Sequence, residues 1–317
     1  MKKYARLGLV GLLLAGGGAA AGLNAAGQRL YQLAMAPTPR DPRWDETEPR
    51  IHREGRSWAQ LGMGFRTLTI QSSDGLALSA RALMASSCSH RWAICVHGYA
   101  DTHLGMGPYA LRYHQQGWNV LLPDQRCYGR SEGRQISWGY LERLDLISWI
   151  SLLIRRDPQA EIVLHGVSMG AATVLMATGG PLPRQVKCAI SDSSYTSLEQ
   201  ELHHILTRYR RSLASGIDLP AGIALALLRR TVLRRDGYDI REVSPLRAVE
   251  HSNTPTLFIH GGHDLLVPPA MMSKLYQSAT CPKSRIWIAE GEHAACLGTD
   301  PVQYWMGVRR FLRRSLS

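Results

Sequence analysis

Between residues 65 and 315 the chain alternates short apolar runs with longer segments of helical periodicity. "FRTLTIQS" and "LALSARALM" alternate polar and apolar positions around the turn signal Ser73-Asp74-Gly75, which predicts an antiparallel pair at a sheet edge. "WAICVHG", "NVLLPD", "EIVLHG", "VKCAISD", "TLFIHGG" and "RIWIAEG" are instead continuously apolar, as strands covered on both faces must be. Helices are expected near 106–116, 138–155, 169–179, 269–278 and 301–315. That alternation predicts an α/β fold: a mostly parallel sheet of about eight strands with helices on both faces.

Two stretches fall outside the alternation. Some sixty residues separate "VKCAISD" from "TLFIHGG", with leucines, Ile205 and Ile223 at helical spacing and arginines between them. They predict an inserted helical cap, about 196–250, over the C-terminal ends of the strands, against the plainer alternative of a second helical layer. At the other end, Lys2, Lys3 and Arg6 precede an uncharged run from Leu7 to Gly27. The run approaches the roughly 20 apolar residues that span a bilayer, so residues 1–35 are expected to form a membrane anchor. A signal peptide cleaved near Ala19-Ala20-Ala21 is the competing expectation. Either one sends the following domain to the extracytoplasmic side. Residues 36–64, with "APTPRDPRWDETEP", suggest a polar, proline-punctuated linker, leaving 65–317 as the main domain.

Length and composition fit one large globular domain or two small ones: 317 residues, 45% hydrophobic and 20% charged. The net charge of +12 is concentrated in Arg208, Arg210, Arg211, Arg229, Arg230, Arg234, Arg235 and Arg241, and in Arg309, Arg310, Arg313 and Arg314. No zinc-finger spacing or RNA-binding motif accompanies these arginines, so nucleic acid is not an expected partner. Attraction to anionic lipid and a plain solvated face remain as explanations. The six cysteines show no CxxC pairing, so neither a thiolate metal site nor a disulfide framework is expected. Cys95 and Cys188 fall inside apolar strands, where free cysteine serves as a small hydrophobe.

Chemistry in a parallel sheet gathers in the loops beyond the strands' C-terminal ends. "EIVLHGVSMGAATVL" places Gly166-Val167-Ser168-Met169-Gly170 between a strand and a helix, the setting of a nucleophile elbow. A serine hydroxyl needs a base and an acid that orients the base. His293 follows the last strand in "AEGEHAAC", and Asp264 follows the preceding strand in "HGGHDLLVP". Asp192, at the end of "VKCAISD", is the rival acid, its alternative role being to brace the turn into the insertion. His260 and His263 share the Asp264 loop and are expected to be structural. His52, His90, His114 and Asp145 are expected at the surface. The amides of Met169 and Tyr99 are the expected oxyanion donors, with His97 bracing the Tyr99 loop.

With His97-Gly98-Tyr99, "DQRCYGRS", the Gly166–Gly170 elbow, "GGHDLLVP" and "GEHAAC" in place, residues 65–315 resemble the α/β-hydrolases. The likeness is to the serine esterase, lipase and peptidase superfamily, in particular its bacterial branch with an N-terminal membrane anchor. Cys127 stands where that family's Asp-x-Arg-Gly-x-Gly-x-Ser loop has its first glycine. The resemblance implies a serine hydrolase and does not identify a substrate. Acyl transfer to water requires no metal or organic cofactor, and the apolar, basic insertion suggests a small-molecule or lipid-like acyl substrate. Carboxylic esters are preferred over thioesters and amides. A catalytically idle binding module at the membrane surface is the alternative from another class. A serine in place of a carboxylate nucleophile argues against dehalogenase and epoxide-hydrolase chemistry.

Overall fold

A computed structural model describes residues 21–42, 48–208 and 219–316. Its eight-stranded sheet has the order β1-β2-β4-β3-β5-β6-β7-β8. The strands are β1 (Arg66–Gln71), β2 (Ala77–Leu83), β3 (Arg91–Val96), β4 (Asn119–Pro123), β5 (Glu161–Val167), β6 (Val186–Asp192), β7 (Thr256–Gly261) and β8 (Lys283–Ile288). β1 and β2 pair antiparallel at one edge, β2 meets β4 antiparallel, and every later pairing is parallel. The expected α/β-hydrolase architecture is thus present.

Period-two alternation distributes each central strand between two cores. Trp92, Ile94 and Val96 of β3 pack on one side with α4 (Glu142–Arg156) and α5 (Met169–Thr178). Ala93 and Cys95 face the other side, with α3 (Gly107–Gln115) and the C-terminal helix, α11 (Pro301–Ser315). Fully burying an aliphatic side chain of this kind contributes roughly 1.5–3 kcal/mol, so the alternation fixes which face each residue takes. The described part of the main unit runs over 37–201 and 243–316. It also contains α2 (Arg50–Leu61), α8 (Pro245–Val249), α9 (Pro269–Ser278) and the short α10 (Cys296–Thr299).

A second compact unit joins, among the described residues, 21–36 with 202–208 and 219–242. Its helices are α1 (21–35), the end of α6 (Leu198–Arg208) and α7 (Ala221–Asp236). Tyr31 donates to Asp236 Oδ1 at 2.8 Å, and Arg235 lies 4.6 Å over the Tyr31 ring. Leu30, Tyr31 and Met35 are buried. These contacts correct the expectation of a membrane anchor over 1–35 and the extracytoplasmic placement drawn from it. Among the described residues no helix is long and apolar enough to cross a membrane, and the end of the supposed anchor packs against α7. Residues 1–20, with most of the apolar run, and Arg210 and Arg211 of the basic stretch lie outside the described residues.

Three other expectations also change. The 36–64 stretch contains α2, whose Gly55 and Ala59 are buried, while Ile51 and Trp58 pack on the core. His52 is packed too: its ring meets Tyr109 edge-on, and burial lowers its pKa to about 4. Asp145 lies inside, where Arg126 bonds both its oxygens at 2.7 and 2.8 Å and also reaches Asp74 at 2.9 Å. That guanidinium joins the loop after β4 to α4 and the β1–β2 turn. Burial pushes the Asp145 carboxyl up to about 6 in spite of the arginine.

Cys127, next in that loop, has φ 73, a left-handed value suited to the glycine it replaces. Its thiol donates to Gln135 O at 3.0 Å, which partly offsets the backbone cost. Cys127→Gly is expected to shift unfolding free energy by less than about 1 kcal/mol, strain relief cancelling the lost bond. Cys127→Val, β-branched at the same φ, should cost about 2 kcal/mol in urea unfolding.

Candidate active site

The site is assembled from five loops at one end of the sheet. Ser168 has φ 55 and ψ −120, between β5 and α5. Only glycine fits on either side of it: a Cβ on Gly166 would lie 2.2 Å from Gly170 O, and one on Gly170 2.1 Å from Val96 O. The Ser168 amide donates to Asp192 O at 2.8 Å, which ties the elbow to the end of β6. Its hydroxyl is left to face His293.

His293 and Asp264 meet it in a chain. Ser168 Oγ lies 2.8 Å from His293 Nε2, and His293 Nδ1 lies 2.8 Å from Asp264 Oδ2. Asp264 is buried in the turn after β7, where Oδ1 accepts the amides of Leu266 and Val267 at 3.1 and 2.8 Å. Burial alone would raise its pKa. The hydrogen bonds and charges of His260 and His293 outweigh that and hold it well below the usual carboxylate range. A carboxylate that stays ionised can hold an imidazole in one tautomer, Nδ1–H toward itself and Nε2 toward the serine.

The other expected residues are accounted for as follows. His260 is buried and donates from Nε2 to Val267 O at 3.0 Å, while His263 is exposed beside Glu290. Asp192 is brought near but makes no bond to His293. Its Oδ2 accepts from Tyr304 at 3.0 Å and its Oδ1 from Ser193 Oγ at 3.0 Å. Burial raises its pKa to about 6. His97 donates from Nδ1 to Gly98 O at 2.7 Å and accepts the Gln125 amide on Nε2 at 2.9 Å, bracing the loop after β3. A Cβ on Gly98 would stand 3.2 Å from Ser168 Cβ, so the Tyr99 loop lies directly beside the serine. Among the described residues neither the Tyr99 nor the Met169 amide meets a protein acceptor. No group of three or more His, Cys, Asp or Glu among them could hold a metal.

With this geometry in hand, comparisons with known proteins agree on its class. The family model described as serine aminopeptidase, S33, matches residues 89–238. The uncharacterised Bacillus subtilis protein YqkD is 32% identical over 222 residues, 69% of this chain and 70% of its own length. The chain belongs to the α/β-hydrolase superfamily. Among solved structures, the Pyrococcus furiosus esterase Pf2001 superposes with a TM-score of 0.65 at 20% identity, over 89% of this chain and 99% of its own. An acylaminoacyl peptidase from Pyrococcus horikoshii gives 0.57 at 18% identity, over 80% of this chain and 41% of its own. At such identities these two likenesses speak for the fold alone.

One residue of the neighbourhood carried no motif. Glu201, on the first turn of α6, is buried with Oε2 unpartnered. Burial pushes its carboxyl up to about 8, and the negative field of Asp264 adds to the shift. Only its place after the β6 turn could have marked it. The unfolded chain loses this proton near the ordinary glutamate value of 4.5, whereas the native state keeps it to about 8. Stability therefore falls as pH rises between those values. Glu201→Gln, which is always neutral, should gain in melting temperature over the wild type, the gap widening from pH 5 to 8 and levelling above.

Proposed function

We propose that this hydrolase-family protein is a serine hydrolase that cleaves carboxylic esters through an acyl-enzyme. The observation that carries this is the unbroken chain Ser168 Oγ–His293–Asp264, both links 2.8 Å, drawn from three separate loops. Ser168 Oγ attacks the acyl carbonyl while His293 Nε2 takes its proton. Asp264 stabilises the imidazolium that forms and remains ionised itself. The carbonyl oxygen gains negative charge as the tetrahedral intermediate forms, and in this reading the amides of Tyr99 and Met169 donate to it. His293 then gives its proton to the leaving alkoxide, and the acyl group stays on Ser168. Water, deprotonated by the same Nε2, repeats the attack and releases the carboxylic acid. No step calls on a cofactor. The preference for esters over amides rests on the better leaving group.

A fluorophosphonate probe should label the wild-type protein and leave folded Ser168→Ala unlabelled. Equal labelling of the two would remove Ser168 as the nucleophile. In parallel, p-nitrophenyl butyrate and an aminoacyl anilide should be hydrolysed at very unequal rates, the ester faster. Parity or reversal would favour a peptidase. Asp264→Asn should lower kcat by about 10⁴-fold. Asp192→Asn, which leaves the His293–Asp264 bond in place, should cost no more than about tenfold.

A further inference from the structure

The loop that carries Tyr99 is gripped from outside the sheet. Asp101, two residues on, receives both arms of the Arg56 guanidinium at 3.1 and 3.0 Å, and Nη1 of Arg40 at 3.3 Å. Glu48 bridges the two arginines at 2.9 and 3.3 Å. Asp101 Oδ1 also accepts the Thr102 amide at 2.8 Å, so the carboxylate is tied to its own backbone as well. Burial would raise the Asp101 pKa, but hydrogen bonds and charge from Arg56 reverse this and hold it below its usual range. The Tyr99 side chain is held independently. Its hydroxyl lies 2.5 Å from Thr38 Oγ1, and its ring stacks on Trp138 at 5.1 Å with 8° between the planes.

Between these two anchored residues stands Ala100, at φ 55. Residues other than glycine leave that conformation unless their surroundings over-determine it. The Ala100 amide reaches Tyr128 Oη only at 3.3 Å, so the clamp on Asp101 is the stronger restraint. The clamp's far end cannot drift either. A Cβ on Gly55 would come 2.3 Å from Pro108 Cα, and one on Gly107 2.2 Å from Gly55 O. α2 therefore rests backbone to backbone on the start of α3, with Arg56 next to the contact.

We propose that Arg56, acting through Asp101, is a positioning residue for the Tyr99 amide, so that Arg40, Glu48 and Arg56 support the oxyanion site from outside the sheet. With the clamp open, Ala100 relaxes to negative φ and carries the Tyr99 N–H off its aim. This deepens the Ser168 chemistry above and rests on it. An oxyanion donor acts in the transition state, so its loss appears in kcat and spares KM.

The test uses the full chain with Arg56→Ala, Asp101→Ala and the double variant Arg56→Ala/Ala100→Gly. Sites are counted by complete fluorophosphonate labelling, and kcat and KM for p-nitrophenyl butyrate are expressed per labelled site. The two single variants should lose roughly 10- to 100-fold in kcat with KM within about twofold. Ala100→Gly should restore part of the loss in the Arg56→Ala background, because glycine holds positive φ without strain. A purely structural role would lower melting temperature and the number of labelled sites while leaving kcat per site at the wild-type value, and that result overturns the proposal. Should Arg56→Ala not fold, Asp101→Ala is judged by the same criterion. Wild-type labelling with unchanged Arg56→Ala turnover refutes the clamp alone. Wild-type protein without Ser168-dependent labelling removes both this proposal and the serine-hydrolase assignment.

Discussion

A backbone-to-backbone contact between β3 and the first turn of α5 carries the rest of the site. Gly170 sits so close to Val96 O and His97 O that any side chain there would overlap them, at 2.1 and 2.5 Å. With nothing intervening, the helix that follows Ser168 lies across the end of β3, where His97-Gly98-Tyr99 begins. Ser168 and the Tyr99 loop thus become neighbours through packing. The histidine side repeats the device: a Cβ on Gly261 would lie 2.1 Å from Gly291 O, which closes the Asp264 loop onto the His293 loop. Close contact of this kind tolerates almost no adjustment, since interiors are packed to crystal density.

Beneath the loops runs a polar chain buried in the core. His165, on β5, bonds Tyr113 at 3.1 Å and Tyr304 at 2.9 Å. Tyr304 in turn donates to Asp192, and Ser193 Oγ accepts the Ala294 amide at 3.3 Å, next to His293. Burial lowers the His165 pKa to about 3, so the imidazole is neutral and can donate to one tyrosine while accepting from the other. A fully satisfied network of this sort specifies one arrangement of β5, β6 and α11. It also fixes the role of Asp192. With Oδ1 and Oδ2 both engaged, its carboxylate is a structural hub where the sequence offered it as a second acid.

The sheet and the Ser168, Asp264 and His293 loops were legible because their signals are local: continuous apolar runs, glycines at fixed offsets, and polar residues just beyond strand ends. α2 was hidden for the opposite reason. Its "RIHREGRSWAQL" is dense in charge, and its buried stripe relies on Gly55, whose purpose is visible only against Gly107. Asp145 and Arg126 lie 19 residues apart, and nothing in their spacing marks them as a buried pair. At residues 21–35, the described end of the expected anchor, apolar character and length pointed to a bilayer where the chain packs against α7. The same small apolar residues that suit a bilayer also suit helix-on-helix packing, as Gly27 beside Thr231 shows, where an added Cβ would lie 2.6 Å from the hydroxyl.

The turn after β6 has one more consequence. Asp192 O holds the Ser168 amide, Ser193 Oγ holds the Ala294 amide, and the Ser193 amide donates to Ile259 O at 2.9 Å. The long insertion before β7 begins only a few residues later. It leaves from a footing already bolted to Ser168, to the His293 loop and to the neighbouring strand. A change of length in the insertion therefore meets three fixed hydrogen bonds along the chain before it reaches β6.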